Sequence, residues 1–337
     1  MINICIYEDN YYKQLLPLTY NRPVYDLLIG TNSILDKVKQ FFNYANISLH
    51  CRNELKPTLK EKLPKNAINS INNGTPCLFI NGRTIMTQSL YNILAQLNPA
   101  HNHLLLYKGH IIATYLRGEE LDNIIETQKI LDEVIKYILQ SLKYQHNYEV
   151  NKYYVIRPDN VKIELNDKSK VKIIARLIQE DILVHQLDPI DNLYKLTAGA
   201  LCFPSFWTLS QKMGMNLERI HKPVPEFTKE IARRVDRLFL GLKVDQPIWR
   251  ANWTVKNNPI LFNPLLEDDK LPEPFTTEKE WWVRVERQTF TKLPVSGAVI
   301  FGIHTFIASP SSLNEEQLGT LKNKIKVKSL IHHKQAS

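Results

Sequence analysis

Asn3 to Tyr7 alternates, placing Ile4 and Ile6 on one side, the period-two signature of a strand. Residues 15–30 follow as a long loop and short turn, with Pro17 and Pro23 bracketing a polar tip. From Ser33 to Phe42 the apolar residues Ile34, Val38, Phe41 and Phe42 fall at helical spacing, with Asn32 or Ser33 as N-cap. Ile47 to His50 and Cys77 to Ile80 read as buried strands. Short strands alternating with helices predict an α/β domain with a mostly parallel sheet.

The pattern changes near Glu126. Ile130, Val134, Ile135, Ile138, Leu139 and Leu142 predict an amphipathic helix, and Ile174, Leu177, Ile178 and Ile182 predict a second over Val171 to Leu183. Arg176, Gln179, Glu180 and Asp181 would form its solvated face. A short helix is expected from Ser205 to Met213, closed by Gly214. Past Pro225 another helix would turn Phe227, Ile231, Val235, Leu238 and Leu242 inward. Pro223 and Pro225 make KPVP an extended connector that holds His221 at a rigid corner. Strands are expected at Arg250 to Val255, Trp282 to Phe290 and Ser296 to Ile307, the last two joined as a hairpin. Helices followed by an antiparallel sheet give an α+β order.

Composition narrows the class. The 337 residues are 44% apolar and 23% charged, which suits two globular domains and excludes disordered, collagenous and coiled-coil chains. The net charge of +9 is spread thinly, 12 basic against 9 acidic residues up to position 125 and 31 against 25 beyond it. Nucleic-acid binding needs basic residues concentrated on one face, so no nucleic-acid partner is expected. The local excess at Lys322, Lys324, Lys326, Lys328 and Lys334 reads as a basic tail, 311–337. The amino terminus lacks a basic leader, and the most apolar stretch, Val295 to Ile307, falls short of the ~18 residues a spanning helix needs. The four cysteines show no C-x-x-C spacing. A cytoplasmic, reducing setting with no membrane is expected. Hexapeptide repeats are absent, and Cys202-Phe203-Pro204-Ser205 has no Gly-x-Ser-x-Gly setting of a nucleophile.

Glu8 and Asp9, then Pro17, Leu18, Thr19, Arg22 and Pro23, Gly30, Asp36-Lys37 and CLFINGRTI at 77–85 resemble the amino-terminal part of GlmU-like sugar nucleotidyltransferases. That resemblance implies a nucleotide-phosphate site after the first strand, with Arg22 as the phosphate contact. From the residues alone, Arg22 equally reads as a loop arginine paired to a local carboxylate. The Gly-rich G-x-G-T-R-M loop of the wider superfamily is missing, so residues 1–125 are expected to form a truncated, partial domain.

IARLIQEDILV (174–184), LTAGALCFPSFWTLSQKMGMNLERIHKPVPEF (196–227), VDRLFLGL (235–242), RANWTV (250–255) and RVERQTFTKLPVSGAVIFGIHTF (284–306) resemble the α subunit of haem-dependent oxidative N-demethylase. For residues 126–310 the resemblance implies a PAS-like antiparallel sheet backed by helices, with haem b in its pocket. It implies oxidative removal of a methyl group from a small secondary amine such as dimethylamine, releasing formaldehyde. Electrons would come from a reductase partner carrying FMN and NADPH.

His221 matches the family's I-H-x-P-V-P position and so is the candidate axial ligand to haem iron. On residues alone it also reads as a satisfied structural histidine. His304 competes for the role, at a position where the resembled family more often carries Arg. Alternation in RVERQTF puts Arg284, Glu286 and Gln288 on one strand face and Val285, Arg287 and Thr289 on the other. Arg284 and Arg287 are candidates to pair with haem propionates, or to form structural ion pairs. Trp253 is pocket wall or core. Two other classes remain: a non-catalytic PAS-like haem or ligand-binding module, and a sugar-nucleotide transferase of UDP-N-acetylglucosamine type. The sequence leaves the oligomeric state open.

Overall fold

The computed structural model describes residues 2–71, 74–167, 169–224, 227–269 and 280–323. The chain divides into two compact units, Met1–Glu126 and Thr127–Ser337.

In the first unit, β1 (Asn3–Tyr7) lies at the middle of a six-stranded sheet. A two-residue ribbon, β2 (Leu28–Ile29) and β3 (Asn32–Ser33), leads into α1 (Ile34–Phe41). Ser33 accepts the Asp36 N–H while the Asp36 carboxylate accepts from the Ser33 backbone, a reciprocal cap that starts the helix where the sequence predicts it. Then come β4 (Asn46–His50), α2 (Lys56–Lys62), β5 (Ala67–Ile68), β6 (Cys77–Asn81), α3 (Gln88–Ala95), β7 (His103–Tyr107) and β8 (His110–Leu116). The order is β5-β4-β1-β6-β8-β7, parallel from β5 to β6 and antiparallel beyond. Ile4, Cys5 and Ile6 are all buried because β1 is covered on both faces. The expected mostly parallel α/β sheet is present, extended by the β7–β8 pair.

Helix α4 (Gly118–Leu142) runs across the boundary between the units. In the second unit, a small sheet of β9 (Glu149–Val150), β10 (Tyr154–Ile156) and β11 (Lys162–Glu164) precedes α5 (Lys170–Leu177). The main sheet holds β12 (Asp181–Leu187), β13 (Tyr194–Ala200), β14 (Ile248–Lys256), β15 (Trp282–Lys292) and β16 (Val299–Ala308). Its order is β13-β12-β16-β15-β14, all antiparallel. Short α6 (Leu217–Ile220) and α7 (Lys229–Gly241) lie in the β13–β14 connection. This is the antiparallel sheet with helices expected for the carboxyl-terminal part.

One face of the sheet, through Ile182, Val184, Ala198, Ala200 and Ile300, joins Ile130, Val134, Ile138, Ile174 and Leu177 in one apolar cluster. Each fully buried Ile, Leu or Val among them contributes roughly 2 kcal/mol, and each alanine less than half of that. Where β12 pairs with β13 the register shifts between Val184 and His185, leaving Thr197 as an extra residue. Beyond that bulge Leu196 and Tyr194 join clusters on the other face.

Three expectations fail locally. The helix predicted over Val171 to Leu183 stops at Leu177, and residues 181–187 form a strand. β12 is buried on both faces, so its apolar residues are nearly continuous and their spacing does not separate strand from helix. Residues 205–213 form turns instead of a helix, although Gly214 does take the left-handed conformation, φ 76°. In α7 the buried stripe is Ala232, Asp236 and Phe239, while Ile231 and Leu238 are exposed, a rotation of about one residue. Lys324, Lys326, Lys328, Lys334 and Pro225 lie outside the described residues.

Candidate functional site

Cross-strand partners in an antiparallel sheet point to the same face. Opposite the α4–α5 cluster, Asp181, Ile303, Gln288 and Arg250 make one row across four strands. The next row is Leu183, Phe301, Phe290 and Ile248, and beyond it His185 pairs with Val299. Rings dominate the middle: Phe290 and Phe301 stack at 4.8 Å and Phe239 of α7 leans on Phe290 at 5.5 Å. Trp207, Leu209 and Ile220 pack against Leu183, Leu196 and Ile303.

The alternation predicted for β15 is realised. Arg284, only 2% exposed, donates through Nε to Glu286 at 2.9 Å; Gln288 donates to the same carboxylate at 3.1 Å and accepts from Arg250 at 2.8 Å. Arg284 also donates to the carbonyls of Phe203 (2.6 Å) and Leu261 (3.3 Å) and to the Thr305 hydroxyl (3.1 Å). Asp181 completes the anchorage, accepting the backbone N–H groups of Cys202 (2.5 Å) and Phe203 (3.1 Å). It is buried, which pushes its carboxyl up to about 6 against those hydrogen bonds and the Arg284 charge. Asp181 is thus an internal clamp, not part of a solvated helix face.

His221 caps the end of α6. Its Nδ1 lies 2.9 Å from the Leu217 carbonyl, which can only accept, so the proton sits on Nδ1 and Nε2 keeps a lone pair. The ring stacks on Phe227 at 3.9 Å, and burial holds its pKa below the ordinary histidine value. The connector after it is a turn, not an extended segment: Val224 N–H donates back to the His221 carbonyl at 2.8 Å. A neutral imidazole with its far nitrogen pinned is the arrangement a metal-ligating histidine needs.

His185 is not among the sequence candidates, because it joins this face only once residues 181–187 form a strand, in which it alternates with Asp181 and Leu183. It is 2% exposed and edge-on to Phe239 at 5.6 Å, and its Nδ1 has no partner among the described residues. Burial, then the neighbouring His221, pushes its pKa down to about 4.

The remaining candidates lie elsewhere. Arg287 and His304 are cross-strand partners on the opposite face, both reaching Glu180 at 3.4 and 3.3 Å. Trp253 pairs with Val285, also away from the His221 side. Arg22 is in the first unit, exposed, with Nε 3.5 Å from Asn21. There the loop after β1 is held by Arg52, which pairs with buried Glu8 at 2.8 Å and donates to the carbonyls of Thr19, Tyr20 and Arg22.

Compared with family models, residues 103–329 match the haem-dependent oxidative N-demethylase, alpha subunit-like family. The chain belongs to that family. Residues 4–190 match the sugar nucleotidyl transferase family, to which the chain also belongs. This second match runs well past residue 125, where the resemblance was expected to end, and overlaps the demethylase-like match.

The demethylase-like family name implies haem dependence, and the residues present fit that group. A fixed neutral imidazole, a face lined with phenylalanines and a second buried imidazole with an unpartnered nitrogen together offer an iron donor in apolar surroundings. Among the described residues no cluster of three or more His, Cys, Asp or Glu forms an alternative metal site, and no helix is long and apolar enough to cross a membrane.

Proposed function

We propose that the second unit binds haem b on the phenylalanine-lined face of its five-stranded sheet, with His221 as axial ligand. The loaded protein removes a methyl group oxidatively from a small secondary amine such as dimethylamine, with dioxygen as the oxidant: one oxygen atom leaves in formaldehyde and the other as water, on two electrons from a flavin and NADPH reductase partner and two protons. The observation that carries this reading is the Nδ1–H of His221 fixed on the Leu217 carbonyl, which leaves Nε2 unprotonated. Bound haem would supply the redox chemistry. The chain's own work is positional: Leu217 sets the His221 tautomer, Phe227 fixes the ring plane, and the Phe239, Phe290 and Phe301 cluster keeps water from the face. Four free cysteines suit a reducing, cytoplasmic setting.

Purified protein reconstituted with haem should show a Soret band that His221→Ala loses. A wild-type protein that stays colourless would sink the proposal. Formaldehyde release from dimethylamine with a supplied reductase separates the demethylase from a haem-binding module without catalysis. A second reading attaches to the first unit, where the guanidinium of Arg22 stands exposed beside the loop as a contact for a sugar-nucleotide phosphate. Calorimetric titration with UDP-N-acetylglucosamine, against Arg22→Ala, tests it.

A further inference from the structure

Lys256 closes the row of β14 on the Arg284 face, opposite Trp282 and beyond the Thr254–Arg284 pair. It is half-buried, and its ammonium sits 3.6 Å from the ring centroid of Phe206. Among the described residues no carboxylate comes within ion-pairing distance of it. Glu286, the nearest acidic influence, is held by Arg284 and Gln288, and the Arg284 donors are themselves taken by Glu286, Phe203, Leu261 and Thr305. A desolvated cation without a counter-ion is costly. Burial first, then the Arg284 charge, accordingly brings its pKa down to about 8.

The ring beneath it is held under strain. Phe206 has φ 62°, a left-handed conformation that bulky residues rarely adopt. Hydrogen bonds from Phe206 N to Asn263 O (2.8 Å) and from Asn263 N to Pro204 O (3.0 Å) impose it. Such strain persists where the surroundings over-determine a conformation, often at ligand sites.

We propose that Lys256, floored by Phe206 and backed by Arg284, is a carboxylate-binding site on the sheet face that carries His221. One ammonium over one ring matches a single planar anion, whereas a phosphate calls for an arginine fork or a nest of backbone amides. The carboxylate has two possible sources, a haem propionate or the substrate itself as an N-methylated amino acid. The propionate source rests on the haem reading above; the small-molecule source does not.

The test titrates the full-length apoprotein with haem b, with its dimethyl ester and with benzoate, in wild type, Lys256→Ala and Lys256→Arg. Binding of the porphyrins is read by Soret absorbance and tryptophan quenching, and binding of benzoate by saturation-transfer NMR. A wild-type preference for haem over ester of about tenfold, lost in Lys256→Ala and kept in Lys256→Arg, supports the site with propionate as its occupant. No such preference, but benzoate binding lost in Lys256→Ala, supports the site with a small carboxylate. Binding of haem, ester and benzoate that is unchanged by Lys256→Ala overturns it. Should wild type take up neither porphyrin, the haem reading fails and the benzoate arm alone decides. Lys256→Met, which keeps the stem on Phe206, replaces the alanine variant if that one unfolds.

Discussion

Arg284 hands one guanidinium nitrogen to the Phe203 carbonyl at 2.6 Å, and Asp181 takes the Phe203 N–H at 3.1 Å, so one peptide is gripped from both sides by buried charges. The turn between β13 and α6 is thereby bolted to the sheet through β12 and β15 together. Arg284→Met should cost about 3–5 kcal/mol, because it strands Glu286 and Asp181 in a buried setting. Urea unfolding followed by tryptophan fluorescence measures this, and a loss below about 1 kcal/mol would show that the clamp is dispensable.

Asp181 and His185 titrate against each other. The raised Asp181 carboxyl, about 6 when folded against 3.8 unfolded, makes the folded state the better proton binder in that window, so its contribution is present below pH 3.8 and lost as pH rises to 6. The depressed His185, about 4 against 6.5, does the reverse: its contribution is present above pH 6.5 and lost as pH falls to 4. Each is worth on the order of 3 kcal/mol, and in wild type the slopes largely cancel between pH 4 and 6. Asp181→Asn should therefore make apoprotein stability rise with pH across that window, and His185→Leu should make it fall. Chemical denaturation at half-unit pH steps reads both signs.

The Glu8–Arg52 pair predicts strong non-additivity. Either Glu8→Leu or Arg52→Met alone leaves a buried charge and should cost about 3–5 kcal/mol, whereas the double variant should recover most of the loss. A double-mutant cycle on thermal or urea unfolding gives the coupling; additive losses would mean that the pair does not act as a unit.

At the start of α1 the reciprocal Ser33–Asp36 cap should be worth about 1 kcal/mol, lost in Ser33→Ala and nearly kept in Ser33→Thr. Hydrogen exchange of the α1 amides localises the effect.

What could be read from the chain beforehand was local. Ile4 and Ile6, the Ser33 cap and the Arg284–Glu286–Gln288 alternation depend on neighbours a few residues apart, and the structure keeps all of them. Residues 181–183 read as the end of a helix because burial on both faces of their strand erases the period. The α7 stripe was misjudged because Asp236, a polar residue, takes a buried position where it faces the Tyr194 N–H. Of the candidate site, His221 and Arg284 fall on one sheet face, while Arg287, His304 and Trp253 fall on the other. The split of Arg284 from Arg287 is already in the alternation of β15, but the company of His304 and Trp253 with Arg287, and the arrival of Arg250, Lys256 and His185 beside Arg284, follow from which strands become neighbours, on which spacing within one strand carries no information.

Thr197 gives the sheet a change of phase. Before it, the even-numbered residues of β13, Tyr194 and Leu196, feed the ring-lined side; past it, the same parity, Ala198 and Ala200, serves the α4–α5 core. Deleting Thr197 alone, without altering any charge or ring, would force Leu196 and Tyr194 to trade sides with their neighbours. One inserted residue thus allows a single short strand to belong to two interiors.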